Sequence, residues 1–106
     1  MTEMAKGYWV ASVDVRDVTA YQKYREALAA PLREFGGTFL TRGGQSEQVE
    51  GKLRARVVII EFPSYAAALA CYRSSSYQDA KKLRLAASDA DVVVLEGYDG
   101  PQPVDS

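Results

Sequence analysis

The chain has no histidine and only one cysteine among its 106 residues. Histidine is the commonest general base and a frequent metal ligand near neutral pH. Its absence excludes catalysis by Ser-His-Asp or Cys-His sets, and it excludes haem held by a proximal histidine. The lone thiol, Cys71, has no internal disulfide partner, which is typical of a reducing compartment. We therefore expect no cofactor, and we interpret Cys71, in an Ala-rich segment, as a buried structural thiol.

An excess of charge and a long hydrophobic run are also missing. The formal net charge is −1, and the basic residues are scattered singly, so there is no electrostatic footprint for nucleic acid or for an anionic membrane surface. No stretch reaches the roughly 18 apolar residues of a membrane span, and the N-terminus lacks a secretory pattern. We expect a cytoplasmic protein with no nucleic-acid partner and no membrane partner.

Hydrophobic periodicity divides the chain into strands and helices. Alternation with β-forming residues predicts strands, and apolar steps of three or four predict helices. The predicted strands cover residues 8–15, 38–42, 56–62 and 91–98, and the predicted helical segments cover residues 18–35, 65–73 and 78–87. This βαββαβ order is typical of a ferredoxin-like α+β sandwich, an antiparallel sheet with helices on one face. We expect one domain over residues 6–98, with flexible ends at residues 1–5 and 99–106.

Glycine, proline and serine predict where these elements break. Pro31 predicts a kink or a split in the first helix, and the glycine pair at residues 36–37 predicts its stop. Ser75 or Ser76 is the expected cap of the last helical segment. After the second glycine pair, QSEQVEG (residues 45–51) is expected to continue the second strand as a bulged, exposed extension or hairpin arm.

Strand alternation predicts a sheet that is apolar on both faces. The residues expected under the helices include Ala11, Val13, Phe39, Ile60 and Leu95. The opposite face is still mostly apolar, through Tyr8, Val10, Leu40, Val57, Ile59, Val92 and Val94. Because the helices cover only one face, the other predicts an interface. We expect a homodimer whose two sheets pack face to face, and the alternative is a cover supplied by another protein.

The stretch FGGTFLTRGG (residues 35–44) looks like a ligand loop. Its glycines are better explained as a helix stop and a strand bulge, because no phosphate-binding motif is present. Alternation places its arginine, Arg42, in the presumed dimer interior with Ser12, Asp14, Glu61 and Glu96. As the only cation of this set, Arg42 is expected to pair with a carboxylate or to orient the carboxylate or enolate of a ligand. The alternative is that these strand-end residues are simply solvated.

The candidate catalytic residues are Asp14, Arg42 and Glu61, where either carboxylate could be a general base if burial raised its pKa. Asp14, Glu61 and Glu96 could instead bind Mg²⁺ or Ca²⁺. Carboxylates at strand ends are more often solvated or paired with arginine, so we expect no metal site. A helix break near residues 73–77 predicts a pocket wall, unless it serves packing and capping alone. The candidate ligand-binding residues are Tyr8, Ser12, Arg42, Tyr72, Arg73 and Tyr77.

Several segments, in order, resemble one family. They are GYWVASVDV, the tyrosines at positions 21 and 24, FGGTFLTRGG, EFPSYAAALACYRSSSYQDAKKLR and DVVVLEG. Together they look like the domain of unknown function 1330 family, from about Lys6 to Gly97. The resemblance implies a dimeric α+β barrel of ferredoxin-like subunits, and it implies no activity and no catalytic residue. The wider superfamily includes cofactor-independent monooxygenases of antibiotic biosynthesis, small isomerases, haem-dependent enzymes and ligand binders.

Three functions therefore remain open, and the sequence does not decide whether the protein is an enzyme. The first is a small-molecule-binding or catalytic barrel, with a pocket between sheet and helices for a small organic acid or aromatic compound. The second is a cofactor-independent monooxygenase, in which the protein supplies a base and a dry cavity. The third is a non-enzymatic dimerisation or regulatory module.

Overall fold

The computed structural model describes residues 5–105 of the chain. Its elements are β1 (Gly7–Val15), α1 (Val18–Phe35), β2 (Thr38–Arg42), β3 (Arg56–Phe62), α2 (Tyr65–Arg73), α3 (Ser75–Ala87), β4 (Ser88–Glu96) and a 3-10 turn (Pro103–Asp105). Most of the expected flexible N-terminal segment, residues 1–4, lies outside the described residues, as does the last residue of the expected tail. The order of elements agrees with the sequence prediction, while β4 begins and ends earlier than expected.

The four strands form one antiparallel sheet in the order β2-β3-β1-β4. Helix α1 packs against α3, and α2 packs on β1, so that the core lies between this helical layer and one face of the sheet. At its centre, the buried indole of Trp9 donates a hydrogen bond from Nε1 to the carbonyl of Ala68 at 2.8 Å. This arrangement confirms the predicted ferredoxin-like α+β fold.

Helix α1 begins and ends as its sequence predicts, but it does not split. The Asp17 side chain accepts a hydrogen bond from the backbone N–H of Ala20, and Gly36 closes the helix at φ 77°, a left-handed conformation that favours glycine. The helix continues through Pro31 to Phe35. Pro31 removes one N–H donor, and the burial of its ring in the core offsets that loss.

The break between α2 and α3 is capped by Ser74, which corrects the expectation of Ser75 or Ser76. The Ser74 hydroxyl donates to the carbonyl of Cys71 at 2.7 Å and accepts from the N–H of Tyr77 at 3.1 Å. One side chain therefore closes α2 and opens α3, and it turns Tyr77 into the core, where it is 1% exposed. Cys71 is also fully buried, and burial raises the pKa of its thiol to about 12, in agreement with a structural role.

A β-bulge in β2 changes the direction of Arg42. The bulge lies between Phe39 and Thr41, so Leu40 is an extra residue and Arg42 lies beside Val58 of the helix-covered face. The expected placement of Arg42 in the presumed dimer interior is therefore wrong, because simple alternation requires an unbroken register. The bulge is also earlier than expected, within β2 and not at the second glycine pair.

Residues 43–55 form an irregular loop and not the expected strand extension. Its turn is closed by the Gln48 side chain, which accepts from the N–H of Leu53 at 2.9 Å and donates to the carbonyl of Arg54 at 3.3 Å. Further on, the backbone N–H of Arg54 donates to the hydroxyl of Ser12 at 2.7 Å. These loop backbone groups are thus hydrogen-bonded by side chains, while Gly43, at the start of the loop, donates to the carbonyl of Val57 in β3 at 3.2 Å.

The faces of β4 are the reverse of the prediction. Val92 and Val94 pair with helix-facing residues of β1, whereas Val93 and Leu95 lie on the bare face with 47% and 44% of their surface exposed. Glu96 lies opposite Gly7, so it does not join the polar set of the bare face. All four apolar positions are compatible with burial, and only the register with β1 decides which of them is covered.

The bare face is apolar across its middle. Val10, Val57 and Ile59 are half-buried there, beside the more exposed Val93 and Leu95. The helices α1, α2 and α3 pack on the other face of the sheet, so they do not cover this patch. Of the helices within residues 5–105, none combines the length and apolar character needed to cross a membrane.

Candidate functional site

A cavity lies between the sheet and the helices α1 and α3. All four strands contribute to its floor, from Phe39 on β2 through Val58 on β3 and Ala11 on β1 to Val92 on β4. Aromatic side chains of the helices, above all Tyr21, Tyr24 and Tyr77, form much of the roof. Its enclosed part has a volume of about 30 Å³, which is room for little more than water molecules. The cavity is therefore narrow, aromatic and largely apolar.

The charged residues around this apolar space are all arginines. They are Arg25 on α1, Arg42 on β2, Arg56 on β3 and Arg84 on α3. Within residues 5–105, the ion pairs of arginine join Arg16 and Arg54 to aspartates, and none joins a cavity arginine to a carboxylate. The cavity thus concentrates positive charge without a balancing negative group, which is unusual for a protein interior.

Three of these arginines form an outer group at the β2 side of the cavity. The Arg42 guanidinium lies over the Phe39 ring, with Cζ 4.1 Å from the ring centroid, and that of Arg56 lies 5.7 Å from the Tyr21 centroid. Arg56 also donates from Nη2 to the backbone carbonyl of Arg42 at 3.2 Å. Arg25 completes the group from α1. Aromatic faces and carbonyls hold these cations, so their remaining donors stay available to a ligand.

Two observations show that the outer group lacks electrostatic compensation. The Nε atoms of Arg25 and Arg56 are buried without a hydrogen-bond partner among the described residues. Burial lowers the pKa of Arg42, and the neighbouring charges of Arg25 and Arg56 lower it further. Both effects disfavour the positive charges, and a bound anion would relieve both.

Arg84 forms a separate, inner group with two tyrosines. It is 5% exposed, and its Nε is buried without an acceptor in the described part of the chain. Its guanidinium interacts with the Tyr77 hydroxyl, which is 3.1 Å from the hydroxyl of Tyr24. Burial raises the pKa of Tyr24 well above 10, and the contact with Tyr77 raises it further. The Tyr24 hydroxyl therefore stays protonated at neutral pH and can donate a hydrogen bond.

A second, polar groove of about 390 Å³ lies on the opposite face of the sheet, under the loop of residues 43–55. Arg54 spans it, donating to Asp14 at 3.0 Å and to Asp91 at 3.1 Å. Asp14 also accepts from the backbone N–H of Ala55. That hydrogen bond, together with Arg54, holds the pKa of Asp14 below its usual value even though desolvation opposes the shift. The groove is thus internally neutralised.

These contacts correct two expectations about charge pairing and acidity. Arg42 is not the mate of a carboxylate, because Arg54 from the loop takes that role with Asp14. The pKa of Asp14 moves down, whereas a general base acting near neutral pH requires a raised one. Asp14 and Glu61 also lie on the sheet face opposite Arg42, so the three candidate catalytic residues do not form one site.

The candidate ligand-binding residues separate in the same way. Arg42 and Tyr77 line the cavity, and Ser12 lines the groove on the other face. Tyr8 also lies on that face, where its hydroxyl donates to Glu61 at 3.2 Å. Tyr72 packs its ring against Trp9 and Tyr77, and Arg73 is exposed on α2. Ligand binding by any of them stays a prediction.

Sequence reasoning missed Arg25, Arg56 and Arg84, although one signal was present. Arg84 occupies the buried stripe of α3, in helical step with Tyr77, Ala80 and Ala87. An arginine inside an apolar stripe indicates either an ion pair or a ligand. No comparable signal marks Arg25 and Arg56, which join the cavity only through tertiary packing. Between residues 5 and 105, no three acidic or cysteine side chains gather as a metal site would need.

Several solved structures share this fold. A protein of unknown function from Rhodopseudomonas palustris superposes with a TM-score of 0.72 at 23% identity, over 93% of this chain and 86% of that one. A cofactor-independent oxygenase from Streptomyces nogalater gives 0.64 at 13% identity, over 96% and 99% of the two chains. A dimeric protein of unknown function with a ferredoxin-like fold, from Bacteroides fragilis, gives 0.56 at 11% identity, over 90% and 99%. At these identities the likeness shows the fold alone.

No curated protein sequence matches the chain. A family model does match, and it covers residues 6–98, nearly the whole of the folded domain. The resemblance read from the sequence segments is therefore confirmed, and the chain belongs to the family described as domain of unknown function DUF1330.

Proposed function

We propose that this protein binds a small organic anion with an apolar or aromatic body in the cavity between sheet and helices. One observation carries the proposal: arginines without carboxylate partners surround an aromatic, apolar space. A guanidinium in such surroundings costs free energy unless it is paired. Its planar fork of donors matches a carboxylate or an enolate oxygen, and an apolar ring would fill the rest of the cavity.

The narrowness of the enclosed part restricts how the ligand enters. A volume of about 30 Å³ is well below the several hundred Å³ of ordinary ligand pockets. Arg42 is the exposed member of the outer group, and its long side chain is held over Phe39 by a cation–π contact that is worth only about 1 kcal/mol at such sites. We infer that the ligand is small and that the Arg42 side chain swings onto its anionic end as it enters.

We also propose that the protein is a homodimer joined through the bare face of the sheet. The support is the apolar patch around Val10, Ile59 and Val93, together with the dimeric state of the similar Bacteroides fragilis protein. Packing two such faces together would remove from water a surface that isolated domains rarely leave exposed. The cavity lies on the other side of the sheet, so each protomer would keep its own.

The dimer is tested by sedimentation or light scattering. Wild type is expected at twice the chain mass of 11.6 kDa, and Val10→Lys at the chain mass, because the lysine would place a charge in the interface. Val18→Lys is the matched control, since Val18 is 78% exposed at the start of α1 and should leave the dimer intact. A wild-type monomer at micromolar concentration would reject this part of the proposal.

Oxygenation without a cofactor is a second candidate function. It is favoured by the narrow aromatic cavity with cations at its edge, which would stabilise the carbanion or enolate of a substrate. The general base remains unassigned, because Asp14 and Glu61 lie on the opposite face of the sheet. Oxygen uptake with a quinol-type substrate tests this candidate. If no organic anion binds, a non-enzymatic dimerisation module is the function left.

Anion binding is tested by thermal shift and calorimetry with benzoate and its neutral isostere benzamide. We expect benzoate to stabilise the protein more than benzamide, and Arg42→Gln to weaken benzoate binding about tenfold. Arg73→Gln is the matched control, because Arg73 is exposed on α2 and does not line the cavity. Equal effects of benzoate and benzamide on the wild type would contradict the proposal.

A further inference from the structure

Arg84 is more deeply buried than the three arginines of the outer group. Arg25, Arg42 and Arg56 reach the cavity near its mouth, where solvent partly screens them. Arg84, on α3, is only 5% exposed. Its Nε still lacks a hydrogen-bond acceptor among the described residues. A single anionic group held by the outer arginines would leave this buried cation unpaired.

The inner group is rich in hydrogen-bond donors. The hydroxyls of Tyr24 and Tyr77 are hydrogen-bonded to each other at 3.1 Å, so one of them donates to the other and the second keeps a free proton. The Arg84 guanidinium has only donors. A free hydroxyl proton and guanidinium N–H groups therefore lie at the same place. They suit an oxygen that only accepts hydrogen bonds, such as that of a carboxylate or a phenolate.

The two groups enter the cavity from opposite edges of the sheet. Arg42 and Arg56 lie on β2 and β3, while α3, which carries Arg84, contacts β4 at the other edge. The strands β2 and β4 are three interstrand spacings apart, about 14 Å. Side chains of both groups line the space between these edges, so one ligand in this space would meet both groups. The lining between them is aromatic and apolar, which suits an aromatic or unsaturated spacer. Because the enclosed volume of about 30 Å³ is too small for a ring, the spacer enters only as the Arg42 side chain swings away from the mouth.

We propose that the ligand is a dianion, a small aromatic or unsaturated diacid, with one acidic group held by Arg42 and Arg56 and the other by Arg84 with Tyr77. This inference rests on the proposed function and deepens it, because it names the ligand class of the same cavity. The outer group selects an anion, and the inner group selects a second acidic oxygen at the far end. Arg84 is then a specificity-determining residue and not part of the packing.

The experiment compares terephthalate with 4-carbamoylbenzoate, which keeps the ring and one carboxylate but replaces the other by a neutral amide. For wild type, we expect terephthalate to bind at least about tenfold more tightly by calorimetry. In Arg84→Met this preference is expected to fall below about threefold, because terephthalate binding weakens by a larger factor than 4-carbamoylbenzoate binding. Tyr77→Phe, which keeps the ring, is expected to reduce the preference by a smaller factor.

The outcomes separate this inference from the proposed function. If wild type binds both compounds equally while benzoate still exceeds benzamide, the diacid is rejected and the anion site stands. If Arg84→Met keeps the full preference, the inner group does not read the second acid, and the inference is also rejected. If none of these acids binds, both proposals fail. Circular dichroism of each variant verifies the fold, and Arg84→Lys, which restores a cation, is expected to recover part of the preference.

Discussion

Replacing Arg84 by methionine should make the unliganded protein more stable. Methionine keeps a long unbranched stem in the same space and removes the charge. The buried Nε without an acceptor represents a cost of about 1–3 kcal/mol, and loss of the contact with the Tyr77 hydroxyl costs about 1.5–3 kcal/mol, so these two nearly cancel. What remains is the desolvation of the guanidinium, which amounts to several kcal/mol for a buried ion after relaxation. Desolvation lowers the pKa of Arg84, and the interactions with Tyr77, Tyr24 and Tyr72 raise it overall. A neutral phenol offsets desolvation less than a phenolate does, so part of this cost remains at neutral pH. We therefore expect a gain of about 1–3 kcal/mol, within the range typical of buried ion pairs replaced by apolar residues of similar volume.

Urea unfolding followed by circular dichroism measures this gain, at one fixed protein concentration because dimers unfold in a concentration-dependent way. The melting temperature should rise on the order of 5–15 °C, given about 4–8 °C per kcal/mol for a domain of this size. Arg16→Met is the control, because Arg16 bonds Asp89 at 3.2 Å and the carbonyls of Leu85 and Ser88 at 3.1 Å. Its loss should destabilise by about 0.5–1.5 kcal/mol.

The measured stability of Arg84→Met also bears on the function of the cavity. A stabilised Arg84→Met protein that has lost its preference for a diacid would mean that Arg84 is retained for binding at the expense of stability. Destabilisation by more than about 1 kcal/mol would refute the reasoning, because the buried guanidinium would then be held by contacts that outweigh its desolvation.

Two further predictions concern the groove and the helix break. Arg54 and the N–H of Ala55 depress the pKa of Asp14, so its carboxylate stabilises the fold above the unfolded value of 3.8 and loses that effect as pH falls through the lower folded value. The stability difference between wild type and Asp14→Asn in urea should therefore be largest at neutral pH and shrink below about pH 4, and a difference independent of pH would contradict the depressed pKa. Ser74→Ala should lower the free energy of unfolding by about 1 kcal/mol through loss of the cap. Ser75→Ala is the control, because Ser75 is exposed, and it should change that free energy by less than about 0.5 kcal/mol. Equal effects of the two variants would show that Ser74 is not the cap.

The sequence by itself determined the order of elements and the layer architecture. Periods of two and of three to four residues are local properties, and so are the cap at Asp17 and the stop at Gly36. The second apolar face of the sheet could also be predicted, because six or more apolar residues in the strands alternate with the residues that face the helices. The ends of α1, β2, β3 and α2 and the family resemblance followed from the same local patterns, whereas the ends of β4 and the start of α3 did not.

Only the tertiary structure decided where the charges lie. One extra residue in β2 turned Arg42 from the bare face to the cavity, and the register of β4 exchanged its two faces. Neither event changes the local pattern of apolar and polar residues, because both depend on which atoms of a neighbouring strand accept hydrogen bonds. The gathering of Arg25, Arg56 and Arg84 around one space likewise requires the packing of α1 and α3 on the sheet. The chain thus encodes its layers locally, whereas its candidate site is made by long-range register and packing.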